Sequence, residues 1–434
     1  GLDRVAEVFQ RLHPSSPPIP VISVAGTNGK GSSVAILEAI YQSAGYRTAT
    51  YTSPHLIRYN ERIHLEGEEV SDREICEAFE RIDRARGDVP LTYFEFGTLA
   101  ALCIFSDARP DAVILEVGLG GRLDAVNLID PDVALITSIG LDHQDWLGSD
   151  LESIGREKAG KLRPDRPAVF SGRDMPESIR AHATRIVARL LVAGVDYRVS
   201  RMAQGWGVQG EGIDRRALPP PAMRGAVQIE NAAGVLVALR CLSGRLPVDQ
   251  QAVRAGLLSA RLAGRFDVRP GRPTWVLDVA HNPQAAGVLS ELIGEMFTPG
   301  RRIALCGMLA DKDAAAIAER LTSRFDAWHL VDLSDQPRGQ SARQLAGKLR
   351  PVLGDTPVEV GDSVAATSAL VADTAGPDDL VVIFGSFVTV GAALARLDRA
   401  GRGRDAEKGD LTPGGPERDE GLKRRLIGAA GLAS

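Results

Sequence analysis

Residues 25–32 read Ala25-Gly26-Thr27-Asn28-Gly29-Lys30-Gly31-Ser32. The glycines allow a bend in which successive backbone N–H groups face one anion. The segment lies between an apolar run of strand length, Ile19–Ala25, and a run of helix length, Ser32–Gly45. A Gly-rich turn in that setting reads as a phosphate loop, because the following helix adds the positive end of its dipole. Lys30 then brings charge to the β- and γ-phosphates, and Ser32 offers a hydroxyl to phosphate or Mg²⁺. Thr27, Asn28, Gly29 and Gly31 complete the candidate ATP contacts of the loop. The spacing departs from Gly-x-x-x-x-Gly-Lys-Ser/Thr: two residues separate Gly26 from Gly29, and Gly31 stands between Lys30 and Ser32. The plainer alternative is a Gly-rich turn beside a solvated lysine.

Ser53, Glu116 and His143 form a second candidate group. Each ends or follows a predicted strand: Arg47–Thr52, Asp111–Val117 and Val133–Thr137. Ligands of an open parallel sheet bind beyond the carboxyl ends of its strands, so the three can converge near the phosphate loop. Oxygen donors suit Mg²⁺, and one imidazole also admits Mn²⁺. Plain readings stand beside these. Ser53 before Pro54 could start a turn, Glu116 could pair with Arg122, and His143 could be a hydrogen-bonded surface histidine. Leu91–Phe96 likewise has two readings: Tyr93 and Phe94 could stack on a flat heterocycle, or Thr92 and Glu95 could simply cap a helix.

The elements that must position these groups alternate between apolar strand-length runs and amphipathic helix-length runs, the pattern of a parallel sheet flanked by helices. Gly194–Ile213 breaks it with interleaved aromatic, Gly and charged residues, predicting one or two hairpins that end at Pro219–Pro221. A second series starts near Gly264, with strands predicted at Thr274–Val279, Arg301–Cys306, Trp328–Val331 and Leu380–Phe384. Helices are predicted at Gln284–Met296 and Ala314–Phe325. We therefore expect an α/β chain divided at Ala260–Arg265 into units 1–263 and 264–400, with a flexible tail over 401–434.

Composition narrows the function classes. Of 434 residues 44% are hydrophobic, enough for real cores. The formal net charge of −5 argues against a general nucleic-acid surface. Cys76, Cys103, Cys241 and Cys306 lack disulfide-framework or zinc spacing. No stretch reaches ~18 consecutive apolar residues, and no secretory signal is present, so a cytoplasmic protein is expected. The chain begins at Gly1 rather than Met, and residues upstream of it are expected.

Gly26–Ser32, Ser53-Pro54-His55-Leu56, Glu116-Val117-Gly118-Leu119-Gly120-Gly121-Arg122-Leu123-Asp124, Asp142-His143, Arg156-Glu157-Lys158-Ala159-Gly160, Gly264-Arg265-Phe266 and Asp278-Val279-Ala280-His281-Asn282-Pro283 occur in this order. Together they resemble the folylpolyglutamate and dihydrofolate synthases of the Mur ligase superfamily, across the chain to about Arg399. The resemblance implies an N-terminal P-loop-type parallel-sheet ATPase domain and a smaller C-terminal Rossmann-like domain, with ATP in the cleft between them. It implies one Mg²⁺ near Ser53 and Glu116, a second near Glu116 and His143, and carbamylation of Lys158 to an anion that helps hold the second. Lys30, His143 and Lys158 are the implied catalytic residues.

It further implies ATP contacts from Asn231, Arg265 and Asp278, although Asn231 also reads as a plain helix cap. His281 would pack near the base. The acceptor would be held by Thr92, Tyr93, Phe94 and Glu95 and by Leu123, Asp124 and Ala125, with a segment upstream of Gly1 completing the pterin pocket. The implied partners are dihydropteroate, tetrahydrofolate and its polyglutamates, and L-glutamate, on a monomeric cytoplasmic enzyme without nucleic acid or membrane. The implied chemistry is phosphorylation of a carboxylate by ATP and attack of the glutamate amine on the acyl phosphate. Tyr93 and Phe94 favour the bifunctional form over polyglutamylation alone. Another Mur-type ligase, a P-loop kinase or NTPase, and a non-catalytic nucleotide-binding module are the alternatives.

Overall fold

The computed structural model describes residues 2–12, 19–202, 205–210 and 212–406. An eight-stranded sheet runs in the order Glu68–Glu69, Ile63–Leu65, Thr48–Tyr51, Ala112–Glu116, Val21–Ala25, Val133–Ile136, Pro167–Phe170, Arg189–Val192. The six strands from Thr48–Tyr51 onward are parallel, and the two short edge strands are antiparallel. Helices cover both faces, so the central strands read as unbroken apolar runs rather than as alternation. Alternate residues nevertheless divide between two cores. Ile22, Val24, Ile114 and Leu135 pack on one side, and Val21, Ala25, Val113, Leu115 and Ile136 on the other.

Register decides where the chemistry lies. Val24 pairs with Glu116 and Leu135, Ala25 with Ile136, and Tyr51 with Leu115. The chain therefore leaves the sheet at Gly26, Ser53, Glu116 and Thr137 along a single edge. The helix after the first of these is Lys30–Ser43, two residues earlier than the predicted start at Ser32. Gly29 is the reason: its left-handed backbone, φ 86°, makes the turn and leaves Lys30, Gly31 and Ser32 in the first helical turn.

The hairpin region forms a three-stranded antiparallel sheet, Tyr197–Met202, Gly205–Gly210 and Ile213–Leu218. Trp206, Val208 and Leu218 turn inward beneath the helix Ala226–Cys241. A six-stranded sheet follows, in the order Asp267–Arg269, Thr274–Leu277, Leu380–Phe384, Arg302–Cys306, Ala327–Leu330, Val358–Val360, parallel except for its first strand. The two outer strands are short and carry no buried residue, so neither stands out as an apolar run. The helix Phe387–Ala406 carries the chain six residues into the expected tail; residues 407–434 lie outside those described. Among the described residues no helix is long and apolar enough to cross a membrane.

Candidate active site

The loop after Val21–Ala25 is held by the neighbouring strand end. Thr27 N donates to Ser138 O at 2.7 Å, and Thr137 Oγ1 donates to Asn28 O at 2.6 Å. Gly29 caps the helix Lys30–Ser43 with no side-chain acceptor, so the first-turn N–H groups remain for an anion. Lys30 Nζ lies back on the loop, donating to Gly26 O at 3.1 Å and Thr27 O at 3.2 Å. Lys158 Nζ donates to the same Gly26 carbonyl at 2.9 Å.

Lys158 is buried, and burial followed by the charge of Lys30 pulls its ammonium from the usual 10.5 down to about 7. Its helix, Leu151–Ala159, docks closely on the loop that follows Glu116. A Cβ at Gly121 would meet Glu157 O at 2.8 Å and Lys158 Cα at 3.1 Å. Arg122 pairs with Glu157 at 2.9 Å, so it is not the partner of Glu116.

Glu116 is buried at the sheet edge, and Ser53 N donates to its Oε2 at 3.4 Å. Burial pushes its carboxyl upward, opposed by Lys30 and Arg265. His143 is half-buried in a left-handed conformation after its strand, and burial and the neighbouring Lys312 and His281 bring it down to about 4, against the pull of Asp142. Among the described residues no three His, Cys, Asp or Glu side chains converge as a ready-made metal cage. The chemistry of the donors still fits a divalent ion. Glu116 keeps acceptor capacity beyond one long bond, and Mg²⁺ characteristically takes one or two carboxylates and fills its shell with water and phosphate oxygens.

Asn231 and the segments from Gly264 onward close over this edge. Asn231 is buried inside the helix Ala226–Cys241, whose N-cap is Gly225, so it is not a cap. Its Nδ2 donates to Gln228 Oε1 at 3.1 Å, and the side chain packs over Gly29. Arg265 lies over the Phe387 ring, 5.3 Å from its centroid. A Cβ at Gly31 would lie 3.6 Å from Arg265 Nη2 and 3.7 Å from Glu116 Oε2, so helix start, guanidinium and carboxylate meet at one point. Asp278 accepts from Phe266 N at 2.9 Å and Ala280 N at 2.8 Å, tying together the two segments that present Arg265 and His281. His281 Nδ1 contacts Val279 O at 2.8 Å, and Nε2 lies 3.2 Å from Asp142.

Asp142, Asn282 and Lys312 were given no role from sequence, yet they join the two halves. Lys312 Nζ meets Asp142 at 2.6 Å, and Asn282 exchanges amide hydrogen bonds with Asn28 of the phosphate loop. The available signal was placement: Asp142 and Lys312 each follow a parallel strand at its carboxyl end.

On the acceptor side, both readings of Leu91–Phe96 leave a trace. Thr92 caps the helix Tyr93–Ala108 and exchanges capping bonds with Glu95, whose carboxylate also pairs with Arg4 at 2.7 Å. Tyr93 stays 37% exposed, edge-on to Tyr59, with Arg62 over both rings. Phe94 lies 6.0 Å from Tyr51. Asp124 gives both oxygens to backbone amides, of Leu119 and Val126, each at 2.9 Å, while Leu123 is exposed and Ala125 buried. The loop is thereby shaped by Asp124, with Leu123 presented outward.

Residues 24–162 match the Mur ligase middle domain, and residues 264–387 match the Mur ligase glutamate ligase domain. The dihydrofolate synthase/folylpolyglutamate synthase of Escherichia coli is 45% identical over 92% of this chain and 91% of its own length. E. coli FolC in complex with DHPP and ADP superposes with a TM-score of 0.86 at 43% identity, covering 92% of this chain and 94% of that one. A bifunctional folylpolyglutamate synthase/dihydrofolate synthase with Mn, AMPPNP and L-glutamate bound gives a TM-score of 0.85 at 44% identity, over 92% and 94%. The phosphate loop, the Glu116 edge and the segments around Arg265 and Asp278 are therefore parts of one known architecture, and the chain belongs to the dihydrofolate synthase/folylpolyglutamate synthase family of Mur ligases.

Proposed function

We propose that this chain is an ATP-dependent ligase that adds L-glutamate to dihydropteroate and to the γ-glutamyl chain of tetrahydrofolate. The observation that carries the reading is the meeting of the phosphate loop, Glu116 and Arg265 at one point between the two halves, in a chain 45% identical to a dihydrofolate synthase/folylpolyglutamate synthase. We divide the chain accordingly into a nucleotide- and acceptor-binding unit, 1–263, and a glutamate-ligating unit, 264–400.

A carboxylate is a poor electrophile, so an acceptor oxygen first attacks the γ-phosphorus and the bond to ADP breaks. The glutamate nitrogen then attacks the acyl carbon, loses a proton, and inorganic phosphate leaves. The chain's contribution is positioning and charge neutralisation. Thr27 to Ser32 cradle the phosphates with backbone N–H groups, Lys30 moves from the loop carbonyls onto phosphate oxygen, and Arg265 approaches from the other half. Asn231 and Asp278 hold the nucleoside. Tyr93, Phe94 and Leu123 face the flat acceptor, while Thr92, Glu95, Asp124 and Ala125 fix the backbone that presents them.

Ser53 and Glu116 would hold one divalent ion, and Glu116, His143 and Lys158 a second, Mg²⁺ with Mn²⁺ able to replace it. Such ions supply charge stabilisation to the transferring phosphoryl group. Lys158 suits that place as a carbamate, because burial brings its amine down to about 7, so about half of it at pH 7 is neutral and has the lone pair that adds CO₂. The reading includes a monomeric cytoplasmic enzyme acting on small molecules, with neither nucleic acid nor membrane as partner. Its test is phosphate release from MgATP and dihydropteroate, or a tetrahydrofolate, with and without L-glutamate. Glutamate-dependent release with amide product supports it; release indifferent to glutamate with every folate acceptor overturns it.

A further inference from the structure

Asp142 lies just past the strand Val133–Ile136, and its carboxylate is 8% exposed. Its own half contributes one donor, His143 N at 2.9 Å. The second half contributes two donors, Lys312 Nζ at 2.6 Å and Asn282 Nδ2 at 3.3 Å, and places His281 Nε2 3.2 Å from the same carboxylate. The Lys312 side chain is 7% exposed, and its other carboxylate, Asp311, is distant at 3.9 Å. A buried acid and a buried ammonium 170 residues apart thus neutralise each other across the cleft.

Asn282 relays this pairing to the phosphate loop. Its Nδ2 donates to Asn28 Oδ1 at 2.9 Å as well as to Asp142. Its Oδ1 accepts from Asn28 Nδ2 at 3.2 Å and from Ala285 N at 2.9 Å, where it caps the helix Pro283–Glu295. Every polar atom of Asn282's side chain is committed, and Asp142 joins Asn28 and Ala285 in fixing its rotamer.

We infer that Lys312 is a positioning residue that latches the second half onto the phosphate loop through Asp142 and Asn282. This rests on the ligase reading for its consequence. An acyl phosphate that meets water yields carboxylate and inorganic phosphate, and ATP is consumed with no amide formed. A latched cleft keeps water from that carbon until the glutamate amine reaches it. The Lys312 ammonium is buried on Asp142 in the other half, and that pairing holds the halves in register.

The test compares the full chain with Lys312→Met and Lys312→Arg, measuring ADP and amide product in the same reactions. Wild type gives about one ADP per amide; Lys312→Met forms amide about tenfold more slowly and releases more than about two ADP per amide, the loss expected for one buried charge-assisted bond in closure. Lys312→Arg, which keeps the charge, returns the ratio to near one. The ratio is internal to active molecules, so partial unfolding cannot mimic the effect. A ratio near one for Lys312→Met, or one equally raised in Lys312→Arg, overturns the inference. Small-angle scattering gives a readout independent of activity: Lys312→Met expands relative to wild type, and an unchanged radius of gyration overturns the latch. Wild type without glutamate-dependent turnover would overturn the ligase reading instead, leaving the latch to be decided by scattering.

Discussion

Gly29→Ala is the sharpest single perturbation of the phosphate loop. Gly29 sits at φ 86°, and a Cβ there would lie 2.5 Å from Asn231 Oδ1 and 3.1 Å from Nδ2. Two costs add. Holding alanine in the left-handed region costs about 1–2 kcal/mol. Displacing the buried Asn231 amide breaks its bond to Gln228 and leaves buried polar atoms unpaired, about 1–3 kcal/mol more. The loop can escape both by abandoning its left-handed turn, and ATP binding must then restore it. The expected result is ATP affinity lower by roughly 100-fold, from a sum near 3 kcal/mol. Thermal stability falls by only a few degrees, because a relaxed loop removes little of the core.

Gly45→Ala is the control. It has the same left-handed backbone, φ 87°, past the far end of the helix Lys30–Ser43, and a Cβ there would meet nothing within 4 Å. It carries the left-handed cost of about 1–2 kcal/mol in stability, and its ATP affinity should stay within about twofold of wild type. Calorimetric titration with a non-hydrolysable ATP analogue and Mg²⁺ measures both. Gly29→Ala binding within about threefold of wild type, or Gly45→Ala weakened as much as Gly29→Ala, would refute the reasoning that Gly29 is required by its turn and by Asn231.

Four other outcomes follow from named contacts. Intact mass of the native protein should show one added CO₂, absent from Lys158→Met, and ligation should weaken in CO₂-depleted buffer below pH 7, where protonation of the buried amine competes with carbamylation. Lys161, wholly buried with its ammonium on the carbonyls of Val126 and Ile129, is brought by burial from 10.5 to about 7. Between these values the unfolded chain binds more protons, so stability rises with pH through that window, and Lys161→Met should flatten the rise in urea midpoints between pH 7 and pH 9. Thr92→Ala should lower stability by about 1 kcal/mol through the lost cap, with the acceptor KM rising no more than stability predicts. Tyr93→Ala should raise the acceptor KM with little change in thermal midpoint, because its ring is partly exposed.

The residues legible in the sequence are those whose position follows from one strand and the turn after it. Gly26, Ser53 and Glu116 each end an apolar run, and parallel register alone brings such ends to one edge. Lys158 was recognisable only through family resemblance. Its proximity to Gly26 depends on the close docking of Gly121 against the helix backbone, which spacing does not reveal. Thr92–Glu95 stayed ambiguous because the same residue pattern both caps a helix and presents aromatics, and the structure uses it for the cap while leaving Tyr93 partly exposed.

Placement after a strand marks Asp142 and Lys312 one by one, but their pairing lay beyond such reasoning for a different physical reason. Asp311-Lys312-Asp313 has the composition of a solvated turn, and by itself a lysine between two acids would be paired locally at the surface. The docking of the two halves reverses this. Desolvation makes the strongest available pairing the one with the least competition from water, and that is Asp142 at 2.6 Å rather than Asp311 at 3.9 Å. A charge chosen by the burial it creates cannot be recognised before the halves are docked. The same dependence is why the pair can report closure: separate the halves, and water and Asp311 again compete for the ammonium.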